Sequence, residues 1–216
     1  MIKNPVTGSV NEITDQLVQS EISSHFILIY PSIEVFRRLY SNYVKKKLKD
    51  GNGITIIISY YETSSKVKEA LSDSLQDISG IKDNKDYNPG TDDIVSEYLK
   101  EESLIIRDSV NAYFGPFDRI DKNLFMNFIR DLLKKAKNSG KKGISVIADL
   151  GSFYHHSGET QDLVDYELSL PSKYDDDLKL NGFCAYHKQD FERRLTEEQK
   201  QSLIHHHGQL LIVEDK

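Results

Sequence analysis

The stretch Ser24-His25-Phe26-Ile27-Leu28-Ile29-Tyr30-Pro31-Ser32 decides how this chain is read. It is a short apolar run that stops at a turn and feeds a 3.6-residue apolar period. That is how the first, central strand of an α/β domain looks when it enters its helix. A nucleotide-binding protein of this architecture carries GxxxxGK[ST] at that turn, with glycines baring backbone N–H groups to phosphate and a lysine neutralising it. Here the turn reads Tyr30-Pro31-Ser32-Ile33-Glu34-Val35-Phe36, with neither glycine nor lysine. The frame of a phosphate site is present without its chemistry.

Working outward, Val35, Phe36, Leu39, Tyr40, Tyr43, Val44 and Leu48 mark one face of a helix that Gly51 to Gly53 ends. The β-branched run Ile54 to Tyr60 predicts a strand buried on both sides, and Val67, Ala70, Leu71, Leu75 and Ile78 a helix after it. Residues 79 to 92 read as a loop-like insertion, with Thr91 capping a short helix. A short strand at 104–107 leads to a turn at 113–118, then to a strongly patterned helix from Leu124 to Ala136, closed by lysines and Gly140. Strands at 143–149, 180–186 and 209–213 alternate with helices from about Thr160 and from the capping box Thr196-Glu197-Glu198-Gln199. Residues 1–24 are weakly patterned and are expected to be an N-terminal extension, with the domain proper at 25–216.

Strands alternating with helices predict an α/β fold, doubly wound, with a mostly parallel sheet covered on both faces. Such sheets bind ligands beyond the carboxyl ends of their strands, so Tyr30, Tyr60, Asp108, Asp149 and Tyr186 are expected along one functional edge.

At 216 residues one well-buried core is the working assumption, and 38% hydrophobic with 29% charged residues argues against global disorder. A net charge of -6 leaves no general basic surface for a polyanion, so direct nucleic-acid binding is not expected. The single cysteine, Cys184, excludes an intramolecular disulfide and any cysteine-only metal site, which fits a reducing cytoplasm. No segment has the run of apolar residues needed to span a bilayer.

The ordered features resemble one family. They are His25 at the first strand, Tyr113 before Gly115, Phe117 and Asp118, a Gly-Ile-x-Val strand ending in Asp149, and the pair Tyr166-Glu167. Phe183-Cys184-Ala185-Tyr186 follows, with a histidine shortly before a terminal strand. Together they resemble the MEDS domain, the sensory domain of DcmR-type regulators, itself similar to the RecA/KaiC-like ATPase core without its phosphate loop. The resemblance covers residues 25 to 214. It implies a signal-receiving domain that binds a small organic ligand, normally joined to a DNA-binding or histidine-kinase module. No such module is found in this chain, so either output is expected to pass in trans to a regulatory partner or the chain is only the sensory half of a system, with a homo-oligomer as a further option.

Several side chains stand out chemically. Asp149 sits where a RecA-like protein holds a metal-coordinating carboxylate, although accepting N–H bonds at the next turn is the structural alternative. Glu62 follows the second of the strands and could serve as a base if there were a nucleotide. Glu167 falls on the apolar face of its helix, between Leu163 and Leu170, and must bind a core donor or point into a ligand pocket. Tyr30, Tyr60, Tyr61, Tyr113, Tyr154 and Tyr186 lie at or near strand ends, where aromatic rings with polar tips favour an organic ligand over phosphate. The expected ligand-binding set is therefore Tyr30, Tyr60, Glu62, Tyr113, Asp149, Tyr154, Glu167 and Tyr186, with no cofactor, no metal and no catalytic residue.

His155 and His187 are expected near each other on the functional edge, and His205 to His207 at a helix end, where no HxxxH or carboxylate spacing supports a metal. Three readings remain open at this level: a non-enzymatic sensory domain, a ligand-free pseudo-ATPase interaction scaffold, and a metal-dependent hydrolase built on Asp149 and the histidines. A closed cavity at Tyr30, Asp149 and Tyr186 favours the first. A filled edge with an exposed apolar patch elsewhere favours the second, and convergent ligands around an open position favour the third.

Overall fold

Residues Val6–Ser9 form a strand, β1, and Val10–Gln19 a helix, α1, ahead of the apolar run, which is strand β2 (His25–Tyr30). Ser32 accepts the Val35 N–H on its hydroxyl and opens α2 (Ile33–Asp50), which Gly51 closes in the left-handed conformation at φ 62°. The computed structural model describes residues 4–20, 23–75, 94–121, 123–174 and 179–215. The insertion expected at 79–92, its Thr91 cap and the core position expected at Ile78 lie outside the described residues.

The chain continues through β3 (Ile54–Ser59), α3 (Ser64–Leu75), α4 (Ile94–Lys100), β4 (Leu104–Asp108), α5 (Ser109–Tyr113) and α6 (Leu124–Asn138). It ends with β5 (Ile144–Asp149), α7 (Thr160–Ser169), β6 (Leu180–His187), α8 (Lys188–Arg194), α9 (Glu197–His206) and β7 (Gln209–Glu214). All seven strands lie parallel in one sheet, in the order β1-β7-β2-β6-β5-β3-β4. Helices α1 to α4 cover one face and α5 to α9 the other, so the fold is a doubly wound α/β sheet as the alternation of patterns predicted. No helix of the described residues is long and apolar enough to cross a membrane.

The N-terminal segment is part of this sheet. Strand β1 extends the edge next to β7, and α1 buries Val10, Ile13 and Leu17 in the core that α2 shares. Its weak pattern concealed the strand because Val6-Thr7-Gly8-Ser9 offers one large apolar side chain and joins the sheet through its backbone. Tyr113 ends the short helix α5, where a turn was expected, and residues Phe153–Ser157 form a π-helical turn that no periodicity announced.

Side chains alternate across the sheet with period two. Ile27 and Ile29 of β2 face the α5–α9 side with Cys184 and Tyr186 of β6, while Leu28 and Tyr30 face the α1–α4 side with Phe183 and Ala185. This alternation governs which candidate residues can meet.

Candidate functional site

At the carboxyl edge, Asp149 has no exposed surface and accepts N–H groups from Gly151 at 2.9 Å, Tyr60 at 3.1 Å and Tyr61 at 3.4 Å. Burial pushes its carboxyl up to about 6, against the pull of those three amides. It ties the β5 turn to the β3 turn, which is the structural alternative raised for it above.

Beside it the crevice is filled by side chains. Tyr61 donates its hydroxyl to Asp190, whose other oxygen accepts Arg194 Nε at 3.0 Å. His155 places Nε2 3.3 Å from Asp190 and stacks on Tyr60, with ring centroids 5.7 Å apart and planes 4° from parallel. His187 lies 5.7 Å from the Tyr61 ring, so His155 and His187 flank the same tyrosine as their strand-end positions implied. Asp190 and Arg194 escaped the sequence reading because α8, which carries both, was not anticipated. Burial pushes the Asp190 carboxyl up, but Tyr61 and His155 outweigh it and hold it below the ordinary carboxylate range.

The eight residues expected to line one ligand site do not all converge: Asp149 takes the Tyr60 amide and lies beside the Tyr30 hydroxyl, but the other five lie elsewhere. Tyr30 stacks on Phe36 at 4.4 Å on the α2 side of the sheet, whereas Tyr113, Tyr154, Glu167 and Tyr186 lie on the opposite side. The physical reason is register: Ile29 is opposite Tyr186, so neighbouring Tyr30 projects to the other face. Glu62 points away from the edge to α2, accepting Arg37 at 2.6 and 2.8 Å and Tyr40 at 3.1 Å. Glu167 is not at the carboxyl edge either. It contacts His25, at the beginning of β2.

There the structure assembles a buried polar cluster. Glu167 Oε2 lies 2.9 Å from His207 Nε2 and 3.8 Å from His25 Nε2, and His25 Nε2 lies 3.3 Å from Cys184 Sγ. The Nδ1 atoms of the two imidazoles lie 3.0 Å from Pro171 O and 2.8 Å from Leu203 O. A carbonyl only accepts, so each Nδ1 carries the hydrogen and each Nε2 is turned inward. Burial, reinforced by His207, holds His25 down to about 3, so His25 is neutral. Burial also raises Glu167, but the His207 hydrogen bond and charge more than reverse this and keep its carboxyl below the usual range. The Cys184 thiol is pushed well up by burial and then by the Glu167 carboxylate.

Beside the cluster a small cavity of about 20 Å³ is lined by Tyr113, Phe125, Tyr166, Glu167, Tyr174 and Cys184, among others. Glu167 Oε1 and the hydroxyls of Tyr154, Tyr166 and Tyr186 find no hydrogen-bond partner among the described residues. Of the two alternatives posed by its place on the apolar face, the structure shows the first, a core partner in His207 at one oxygen, while the other oxygen is left over. Sequence reasoning missed His25, Cys184 and His207 as its companions. His25 and Cys184 stand in apolar strands, and His207 ends a run of three histidines, which marks the individuals without showing that they meet.

Residues 88–207 match the family model described as MEDS, the MEthanogen/methylotroph, DcmR Sensory domain. The match takes in Tyr113, Asp149, Glu167, Cys184 and His207, more than half of the chain. No curated protein matches the chain.

Proposed function

Because this chain belongs to the MEDS family of sensory domains, we propose that it senses a small organic molecule on the α5–α9 side of its sheet and relays occupancy to a regulatory protein in trans, without turning the molecule over. The cavity lies away from Tyr30, Asp149 and Tyr186, where one was expected, and the observation that carries this reading is its place beside the unpartnered Glu167 Oε1 and Tyr166 hydroxyl. Buried polar atoms left without a partner cost roughly 1–3 kcal/mol each, a cost that a ligand offering matching groups would recover. A space of 20 Å³ holds about one water or a molecule of very few heavy atoms. Anything larger must push α6 or α7 outward, and that displacement is the natural signal to a partner.

A non-catalytic reading is supported by how the candidate catalytic groups are engaged. Asp149 is occupied by three amides, Glu62 by Arg37 and Tyr40, and the Val35 amide at the start of α2 by Ser32. The scaffold alternative called for a filled edge together with an exposed apolar patch. The edge is filled, but among the described residues Leu168 is the one large exposed hydrophobic.

The test is a thermal-shift screen of the full chain against small polar organic compounds and against magnesium ATP. A compound present at 100 times its Kd stabilises the native state by about 2.7 kcal/mol and raises the unfolding midpoint. Hydrogen-exchange protection should then appear in α6, α7 and β6. A magnesium-dependent shift with ATP, or protection confined to α2 and α3, would overturn the proposal.

A further inference from the structure

Four elements each bring one side chain to the beginning of β2: His25 from β2 itself, Glu167 from α7, Cys184 from β6 and His207 from the end of α9. One donor atom from each lies within 4.8 Å of the other three, and all four residues are buried. We propose that this cluster binds one divalent transition-metal ion of zinc's class, held by His25 Nε2, His207 Nε2, Cys184 Sγ and an oxygen of Glu167.

The geometry fits. Tetrahedral zinc with its usual bonds to nitrogen, oxygen and sulfur sets its ligand atoms about 3.3 to 3.6 Å apart. The separations here include 2.9, 3.3 and 3.8 Å, so small side-chain rotations close the shell. The orientation also fits. Backbone carbonyls of Pro171 and Leu203 take both Nδ1 hydrogens, the outer-shell arrangement that turns an imidazole's other nitrogen toward a metal.

Charge points the same way. Without an ion, two inward imidazole nitrogens, a carboxylate and a thiol compete for too few protons, and Glu167 Oε1 has no partner. A thiolate and a carboxylate neutralise a 2+ ion, and two neutral imidazoles complete the set. Loading is balanced by proton release. The ion replaces the Cys184 thiol proton and the proton shared by Glu167 and His207, and two protons leave to solvent.

Glu167 and Cys184 also line the cavity, so the ion stands at its wall, where a small ligand could reach it. The inference rests on the sensory reading only for the ion's purpose and not for its presence.

The experiment titrates metal-stripped, reduced full-length protein with Co²⁺ and then Zn²⁺. We expect saturation at one equivalent, with the intense visible bands of tetrahedral cobalt and a near-ultraviolet thiolate-to-cobalt band that zinc abolishes. Cys184 is the single cysteine in the sequence, so that band reports on it alone. Cys184→Ala should lose the band, and His207→Gln should weaken zinc binding by more than the roughly 10- to 100-fold typical of outer-shell changes. Far-ultraviolet circular dichroism of the metal-free variants checks folding, and if a variant does not fold the wild-type spectrum decides. Weak cobalt bands without the thiolate transition, or binding that does not saturate at one equivalent, would overturn the site. Failure of every organic compound to shift zinc-loaded protein would sink the sensory proposal and leave the metal site standing. Shifts from organic compounds in a protein that binds no cobalt would do the reverse.

Discussion

At Asp149 the carboxyl is raised to about 6 from an ordinary 3.8, burial outweighing three amide hydrogen bonds. Between about pH 4 and 6 the folded chain keeps a proton that the unfolded chain has released, so stability falls as pH rises through that window, by on the order of 3 kcal/mol. Asp149→Asn removes this contribution. In urea unfolding the variant should gain on the wild type as pH rises from about 4 to 7, and a pH-independent difference would refute the assignment. Glu62 makes a contrasting case. Its ion pair reaches the half-exposed Arg37 and contributes little, but its bond to buried Tyr40 matters. Glu62→Ala should cost roughly 1–3 kcal/mol in denaturant unfolding by stranding that hydroxyl, while leaving any ligand-induced thermal shift intact. Loss of the ligand shift would return Glu62 to the binding site.

Among the elements, α1 is opened by a reciprocal capping box in which Glu12 takes the Ser9 amide at 2.8 Å. Ser9→Ala should destabilise by about 1 kcal/mol. Removing residues 1–19 goes further, because Ile13 and Leu17 are almost completely buried and each contributes roughly 1.5–3 kcal/mol. The truncation also bares the β7 edge, which is a template for aggregation. It should lower the urea midpoint and produce higher-order species in size-exclusion chromatography. A truncated chain that is monomeric and equally stable would show that β1 and α1 are dispensable. In the turn after β5, a Cβ at Gly151 would come within 2.7 Å of the Tyr60 ring and 2.8 Å of the Tyr61 ring. Gly151→Ala must therefore displace both rings and break the stack on His155, costing roughly 1–3 kcal/mol and changing the near-ultraviolet tyrosine dichroism. An unchanged spectrum would mean the rings are not held as described.

Over the whole molecule, the turn from β2 into α2 combines a sheet-to-helix junction with Pro31 and a Ser32 cap in place of glycines and a lysine. Magnesium ATP should consequently leave the unfolding midpoint unchanged, and the purified chain should release no phosphate from it. Measured turnover that survives repurification would reverse this expectation.

Local patterns carried much of this architecture. The α6 face from Phe125 to Ala136, the Thr196–Gln199 capping box and the apolar runs of β2, β3 and β5 were legible because periodicity and caps act over a few neighbouring residues. Strand β1 was not legible, since backbone pairing to β7 leaves little trace in side chains. The candidate site divides along the same line. The residues alone marked Glu167 as an anomalous carboxylate on an apolar helix face and showed that the β2 turn carries no GxxxxGK[ST]. Only the tertiary structure decided that Tyr30 and Tyr186 project to opposite faces and that His25, Cys184 and His207 meet Glu167. Those outcomes depend on strand register and helix docking between segments distant in the sequence, which no local period encodes.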